Sequence, residues 1–100
     1  MLLHTLLRQF DPHLPVNDVP NLDVRSIQED SRKIQPGDLF VARPGAKSDG
    51  AKYAADAQAR GAVAVVTQQA IPGCSLPQIR VTDAAAASSQ LANEIGRAHV

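Results

Sequence analysis

Two apolar runs, residues 38–43 (DLFVAR) and 62–67 (AVAVVT), flank a segment, 51–60, that carries helix boundary signals at both ends. Ser48 or Asp49 is placed to cap its start, and Gly61 stands where a helix-ending glycine belongs. Near-continuous apolar runs suit strands buried on both faces. Two such strands joined through one helix pair in parallel, because the crossover carries the chain back to the end it started from. That unit makes the chain α/β, and the other segments must be added around it.

Pro36-Gly37 precedes the first run as a turn, proline setting φ at one central position and glycine accepting positive φ at the next. Leu2, Leu3, Leu6 and Leu7 predict a helix over residues 1–10, stopped by Asp11-Pro12. Residues 11–22 hold three prolines and two asparagines and read as a surface loop. A short strand is expected over 23–29 around Val24 and Ile27, and another over 78–82 after a Pro- and Gly-containing loop. Asp83 then caps an alanine-rich helix that runs to about residue 95. The expected architecture is a small mixed or partly parallel sheet flanked by helices, one domain over residues 1–95. Residues 96–100 read either as a foreign tail translated from appended sequence or as an ordinary glycine stop.

Of the 100 residues, Leu, Ile, Val and Phe supply 25, enough for a core, but Trp is absent and there are 3 aromatic residues in all. The core is therefore aliphatic, and alanine faces bury less area per helix than leucine faces would. Ten basic and ten acidic residues cancel, which speaks against a broad nucleic-acid surface. No apolar run approaches the length of a membrane span. The lone Cys74 allows neither an internal disulfide nor a cysteine zinc cage. A cytoplasmic globular domain is the expectation.

Little in the chain has the pattern of catalysis. His4, His13 and His99 are dispersed, and Cys74 has no base near it in sequence. Neither G-x-G-x-x-G nor G-x-x-x-x-G-K-[ST] occurs. Glu29 and Asp30 are adjacent, so on a strand they would face opposite sides and make a poor acid pair. The segments flanking the 38–43 strand remain. Asp30-Ser31-Arg32 leaves the strand before it, and Gly45 to Gly50 leaves the strand itself. Ligands of open α/β sheets gather in such places. The Ser31 hydroxyl can donate and accept, the 45–50 loop offers backbone N–H groups, and Lys47 adds a cation, a set suited to a nucleotide. The plainer reading is that Asp30 and Ser31 close a turn by side-chain to backbone bonds.

The run Asp30-Ser31-Arg32, Pro36-Gly37-Asp38-Leu39-Phe40-Val41-Ala42, Gly45, Asp49-Gly50, Tyr53, Ala57 and Gly61-Ala62-Val63-Ala64-Val65-Val66 resembles the N-terminal domain of the Mur ligases. These ATP-dependent enzymes build the peptidoglycan stem peptide. The likeness is strongest to the member that adds the third residue, diaminopimelate or lysine, to UDP-N-acetylmuramoyl-L-alanyl-D-glutamate. A related domain in the ligase adding D-Ala-D-Ala, or a non-catalytic module of the same fold, is the alternative. The resemblance implies that Ser31 and the Ala46-Lys47-Ser48 loop contact the uridine diphosphate, that Glu29 occupies a further contact position, and that Arg32 can reach a phosphate. It also implies that ATP and magnesium are held by a central domain outside these residues, which works with a C-terminal domain. The hundred residues alone are then expected to be inert.

Overall fold

The strands lie side by side in chain order, β1 (Ile27–Gln28), β2 (Leu39–Ala42), β3 (Ala64–Thr67) and β4 (Gln78–Arg80), and each pairs with the next in parallel. This is a computed structural model, which describes residues 1–17, 19–42 and 50–98. Helix α1 (Leu3–Phe10) precedes the sheet, a 3₁₀ turn (Ser31–Lys33) joins β1 to β2, α2 (Gly50–Ala59) joins β2 to β3, and α3 (Ala84–Ala98) follows β4. The expected α/β class holds, and the sheet is parallel at every pairing rather than mixed.

Chain-order parallel strands place their crossovers on one face, since each crossover takes the same hand. The core divides accordingly. Phe40 and Val65 point to the crossover face, where they meet Ala54 and Ala57 of α2, Ile34 after the 3₁₀ turn, and Ile71 and Leu76 of the β3–β4 connection. Leu39, Val41, Ala64, Val66 and Ile79 point the other way, onto Leu3, Leu6 and Leu7 of α1 and Ala84, Ala87, Leu91 and Ile95 of α3. Alternation along each strand produces this split. The leucines of α1 are fully buried, each contributing roughly 1.5–3 kcal/mol.

Between β3 and β4 the crossover has no helix. The Gln78 carboxamide takes its place locally, accepting from Ile71 N–H at 2.8 Å and donating to Ile71 carbonyl at 3.1 Å. That clamp holds the apolar Ile71 on the sheet. Cys74 is a free thiol in this connection, half-buried against the same cluster.

The strands are shorter than their apolar runs. Residues 23–26 were expected in β1, and only part of that segment bonds along the β2 side, Ser26 carbonyl accepting from Leu39 N–H at 2.8 Å. Val24 N–H bonds to Met1 carbonyl (2.8 Å), Arg25 N–H bonds to Gly37 carbonyl (2.8 Å), and Asp23 bridges Leu2 in antiparallel fashion. Asp38 opens the β2 run, its carbonyl accepting from Val63 N–H at 2.9 Å while its side chain turns inward. Its Oδ2 accepts from Gln35 N–H at 2.9 Å, and Oδ1 sits 2.9 Å from the Arg25 guanidinium. The Pro36-Gly37 turn forms as expected, with Gly37 at φ +93° and Gly61 at φ +102° ending α2.

Asp83 caps α3 through Ala86 N–H (3.1 Å), and Gln68 adds a second cap by accepting from Ala84 N–H at 2.8 Å. Gly96 does not stop this helix, which continues to Ala98. Glycine in a helix costs about 1 kcal/mol relative to alanine, and Leu91 and Ile95 anchor the turn before it. The expected cap of α2 at Ser48 or Asp49 lies outside the described residues.

Candidate functional site

A parallel sheet gathers the carboxyl ends of its strands on one edge. Here that edge carries Glu29 to Ser31 after β1, Gln68 and Gln69 after β3, and Val81 and Thr82 after β4. The loop after β2 starts from the same edge, and Ala46, Lys47 and Ser48 lie outside the described residues. An open depression of about 470 Å³ lies over the β3 and β4 ends, lined by Gln68, Gln69, Arg80, Val81 and Thr82.

Asp30-Ser31-Arg32 is not an open loop. Asp30 is extended and caps the 3₁₀ turn, accepting from Arg32 N–H at 3.0 Å. The Arg32 guanidinium then forks onto the same carboxylate, Nε to Oδ1 and Nη2 to Oδ2, both at 3.1 Å. Hydrogen bonds from the Arg32 side chain, then from its backbone N–H, hold the Asp30 carboxyl below the usual carboxylate range. The Arg32 carbonyl accepts in turn from Arg60 Nη1 (3.1 Å), which ties the turn to the end of α2. Arg32 remains 80% exposed.

This cap tucks Ser31 inward, leaving it 5% exposed. Its carbonyl accepts from Ile34 N–H at 3.4 Å. Among the described residues its hydroxyl has no hydrogen-bond partner, yet it is not sealed off as Asp38 Oδ1 is. The turn-closing side chain is therefore Asp30, and Ser31 contributes only its backbone. A hydroxyl that keeps access to water needs no protein partner and stays open to a ligand, to which it can donate or accept.

Glu29 faces the other side. Period-two alternation puts it on the face of Ile27, toward α3, and its Oε1 accepts from the Ser88 hydroxyl at 2.9 Å. Glu29 and Asp30 thus engage different partners on different elements. His4 is half-buried, its Nε2 bonded to the Val19 carbonyl, a structural role that its position on the predicted helix did not suggest. Among the described residues no group of three His, Cys, Asp or Glu is placed to hold a metal. No helix of the described residues is long and apolar enough to cross a membrane.

Three residues escaped the sequence reading. Gln68 sits in what reads as plain loop and Gln78 at the start of an expected strand, and nothing local marks either amide as a cap or clamp. Ser88 did leave a signal, since it is the polar member of the otherwise apolar stripe Ala84, Ala87, Leu91 and Ile95.

Comparison with known proteins matches residues 23–99 to the family model described as "Mur ligase family, catalytic domain". A UDP-N-acetylmuramoyl-L-alanyl-D-glutamate–2,6-diaminopimelate ligase of Gloeobacter violaceus is 36% identical over 95 residues, 93% of this chain and 19% of that protein. The enzyme of the same name from Agrobacterium fabrum is 46% identical over 70 residues, 70% of this chain and 14% of its own. Among solved structures, MurF from Acinetobacter baumannii superposes with a TM-score of 0.68 at 25% identity, covering 86% of this chain and 19% of that one. The chain thus spans about a fifth or less of the length of these relatives.

Proposed function

Since this chain belongs to the Mur ligase family, we propose that residues 1–95 grip the UDP end of UDP-N-acetylmuramoyl-L-alanyl-D-glutamate within an ATP-dependent ligase. That ligase adds diaminopimelate or lysine as the third residue of the stem peptide. Identities of 36% and 46% to the diaminopimelate ligases, against 25% to MurF, favour this acceptor.

The observation that carries the reading is the Ser31 hydroxyl at the carboxyl edge, which has no hydrogen-bond partner among the described residues and is not sealed from water. A uridine or diphosphate oxygen or a base N–H would complete it. Ala46, Lys47 and Ser48 would add backbone donors and one cation from the loop after β2, and Arg32 a second cation whose fork is already shared with Asp30. Glu29 would contribute through its backbone, because its carboxylate is turned to Ser88. Binding energy from the nucleotide, remote from the reacting carboxyl, would position that carboxyl elsewhere in the enzyme.

ATP and magnesium do not fit the residues in hand. The sequence has no phosphate-loop pattern, and the described residues hold no acidic or histidine cluster for a cation. No catalytic step is therefore assigned to them. Calorimetric titration tests the reading: UDP-N-acetylmuramoyl-L-alanyl-D-glutamate should bind saturably, and the muramoyl dipeptide without UDP should not. Equal binding of the two, or none, overturns it.

A further inference from the structure

Few large apolar side chains stand on the described surface, and Tyr53 is one of them, 47% exposed. It lies in the first turn of α2, the end of that helix nearest the carboxyl edge. Which flank it faces follows from the rest of the helix. Arg60 donates to the Arg32 carbonyl, and a residue seven positions earlier lies on nearly the same line of the helix, about 10 Å toward its start. Ala54 and Ala57 share a core cluster with Ile34, and α2 packs against the 3₁₀ turn itself. The segment 31–34 thus runs alongside α2, and Tyr53 comes level with Ser31 and Arg32. Arg32 titrates above its ordinary value chiefly through its bond to Asp30, and the Tyr53 phenolate present at such pH is near enough to add to the effect. The ring is not part of the core cluster beneath it, and its hydroxyl has no hydrogen-bond partner among the described residues.

Resting on the reading of this edge as a uridine nucleotide site, we propose that Tyr53 is a further ligand-binding residue, the platform on which the uracil ring stacks. Exposed aromatic side chains hold a base by its π-face, whatever hydrogen bonds its edge makes. Ser31 offers the ligand a hydroxyl and Arg32 a charge, and Tyr53 adds the apolar face that neither supplies. Stacking acts on the base alone. Its contribution is therefore equal for uridine and UDP and absent for pyrophosphate. Phenylalanine would preserve it, since it keeps the ring and lacks only the hydroxyl.

The chain carries its own reporter, because Tyr53 is its one tyrosine and tryptophan is absent. Tyrosine emission should fall saturably as uridine or UDP is added, with the midpoint that calorimetry gives, and should not respond to pyrophosphate. By calorimetry, Tyr53→Ala should weaken uridine and UDP by a common factor of about 5–100-fold, the range for removing one aromatic stacking partner. Tyr53→Phe should stay within about twofold of wild type. Alanine is the better helix former at this exposed position, and an unchanged thermal melt verifies the fold. The emission titration on the wild-type chain decides the matter even if that variant does not fold. Three results overturn the stacking while leaving the nucleotide reading in place: calorimetric binding with unchanged emission, Tyr53→Ala at wild-type affinity, or a Tyr53→Phe loss as large as that of alanine. If the wild-type chain binds neither uridine nor UDP, the nucleotide reading fails first and takes the proposal with it.

Discussion

Gly61 and Pro36 approach so closely that a Cβ on the glycine would stand 2.7 Å from the proline Cα. The contact joins the end of α2 to the turn that launches β2, and the Gly61 carbonyl accepts from Gly37 N–H at 3.0 Å across it. Two turns, each written in the sequence as a glycine after a helix or a proline, thus share one seam. Gly61→Ala would force both a side chain at φ +102° and a backbone clash. The left-handed backbone costs about 1–2 kcal/mol, and overpacking typically about 1–3 more. Chemical denaturation should show a loss of that order.

Arg25→Ala removes the guanidinium from Asp38 Oδ1, an atom buried with no hydrogen-bond partner of its own. Stability should fall by about 1–3 kcal/mol, because a buried carboxylate oxygen loses the cation that offsets its charge. Adding Asp38→Asn should recover part of it by removing the charge. Urea unfolding of both singles and the double checks this, and strictly additive losses would show that the two side chains are not coupled.

Ser31→Ala should weaken the nucleotide ligand by about 0.5–1.5 kcal/mol, the usual net contribution of one hydrogen bond. The same change should leave the fold intact, because the hydroxyl has no partner among the described residues and is not sealed from water. Calorimetry and a thermal melt on the same variant separate the two effects. Lower stability with unchanged affinity would return Ser31 to the turn.

Asp30 should titrate below the usual carboxylate range, lowered first by the Arg32 side chain and then by the Arg32 N–H. A carboxyl depressed in the folded state stabilises it above the unfolded value near about 3.9. That contribution is lost as pH falls through the folded value. Carbon-detected NMR titration of the Asp30 carboxyl reads it directly. Arg32→Ala should move the midpoint up, and the stabilities of wild type and variant should converge as the solution is acidified.

The sheet was readable because it is encoded locally: residues 38–43 and 62–67 are apolar, and Gly37 and Gly61 sit where positive φ is needed. Strand ends were less so. Whether Val24 joins the sheet depends on Met1, whose carbonyl takes the Val24 N–H from a distant part of the chain. The site divided in the same way. The Asp30-Ser31-Arg32 triplet was found by its pattern, but the division of labour within it, the Asp30 carboxylate closing the turn and the Ser31 hydroxyl without a partner among the described residues, depends on three-dimensional packing. Ser88 was detectable only as a flaw in an apolar stripe, since its partner is 59 positions away.

The layering also bears on how the protein is made. The face opposite the crossovers is closed by α1 and α3, contributed from opposite ends of these hundred residues. During synthesis Leu3, Leu6 and Leu7 leave the ribosome well before Leu91 and Ile95, and find their cover only when those have emerged. The crossover side can consolidate meanwhile from nearby segments, so the nascent domain passes through a half-dressed stage with its greasiest helix waiting, a stage open to chaperones and to misassociation.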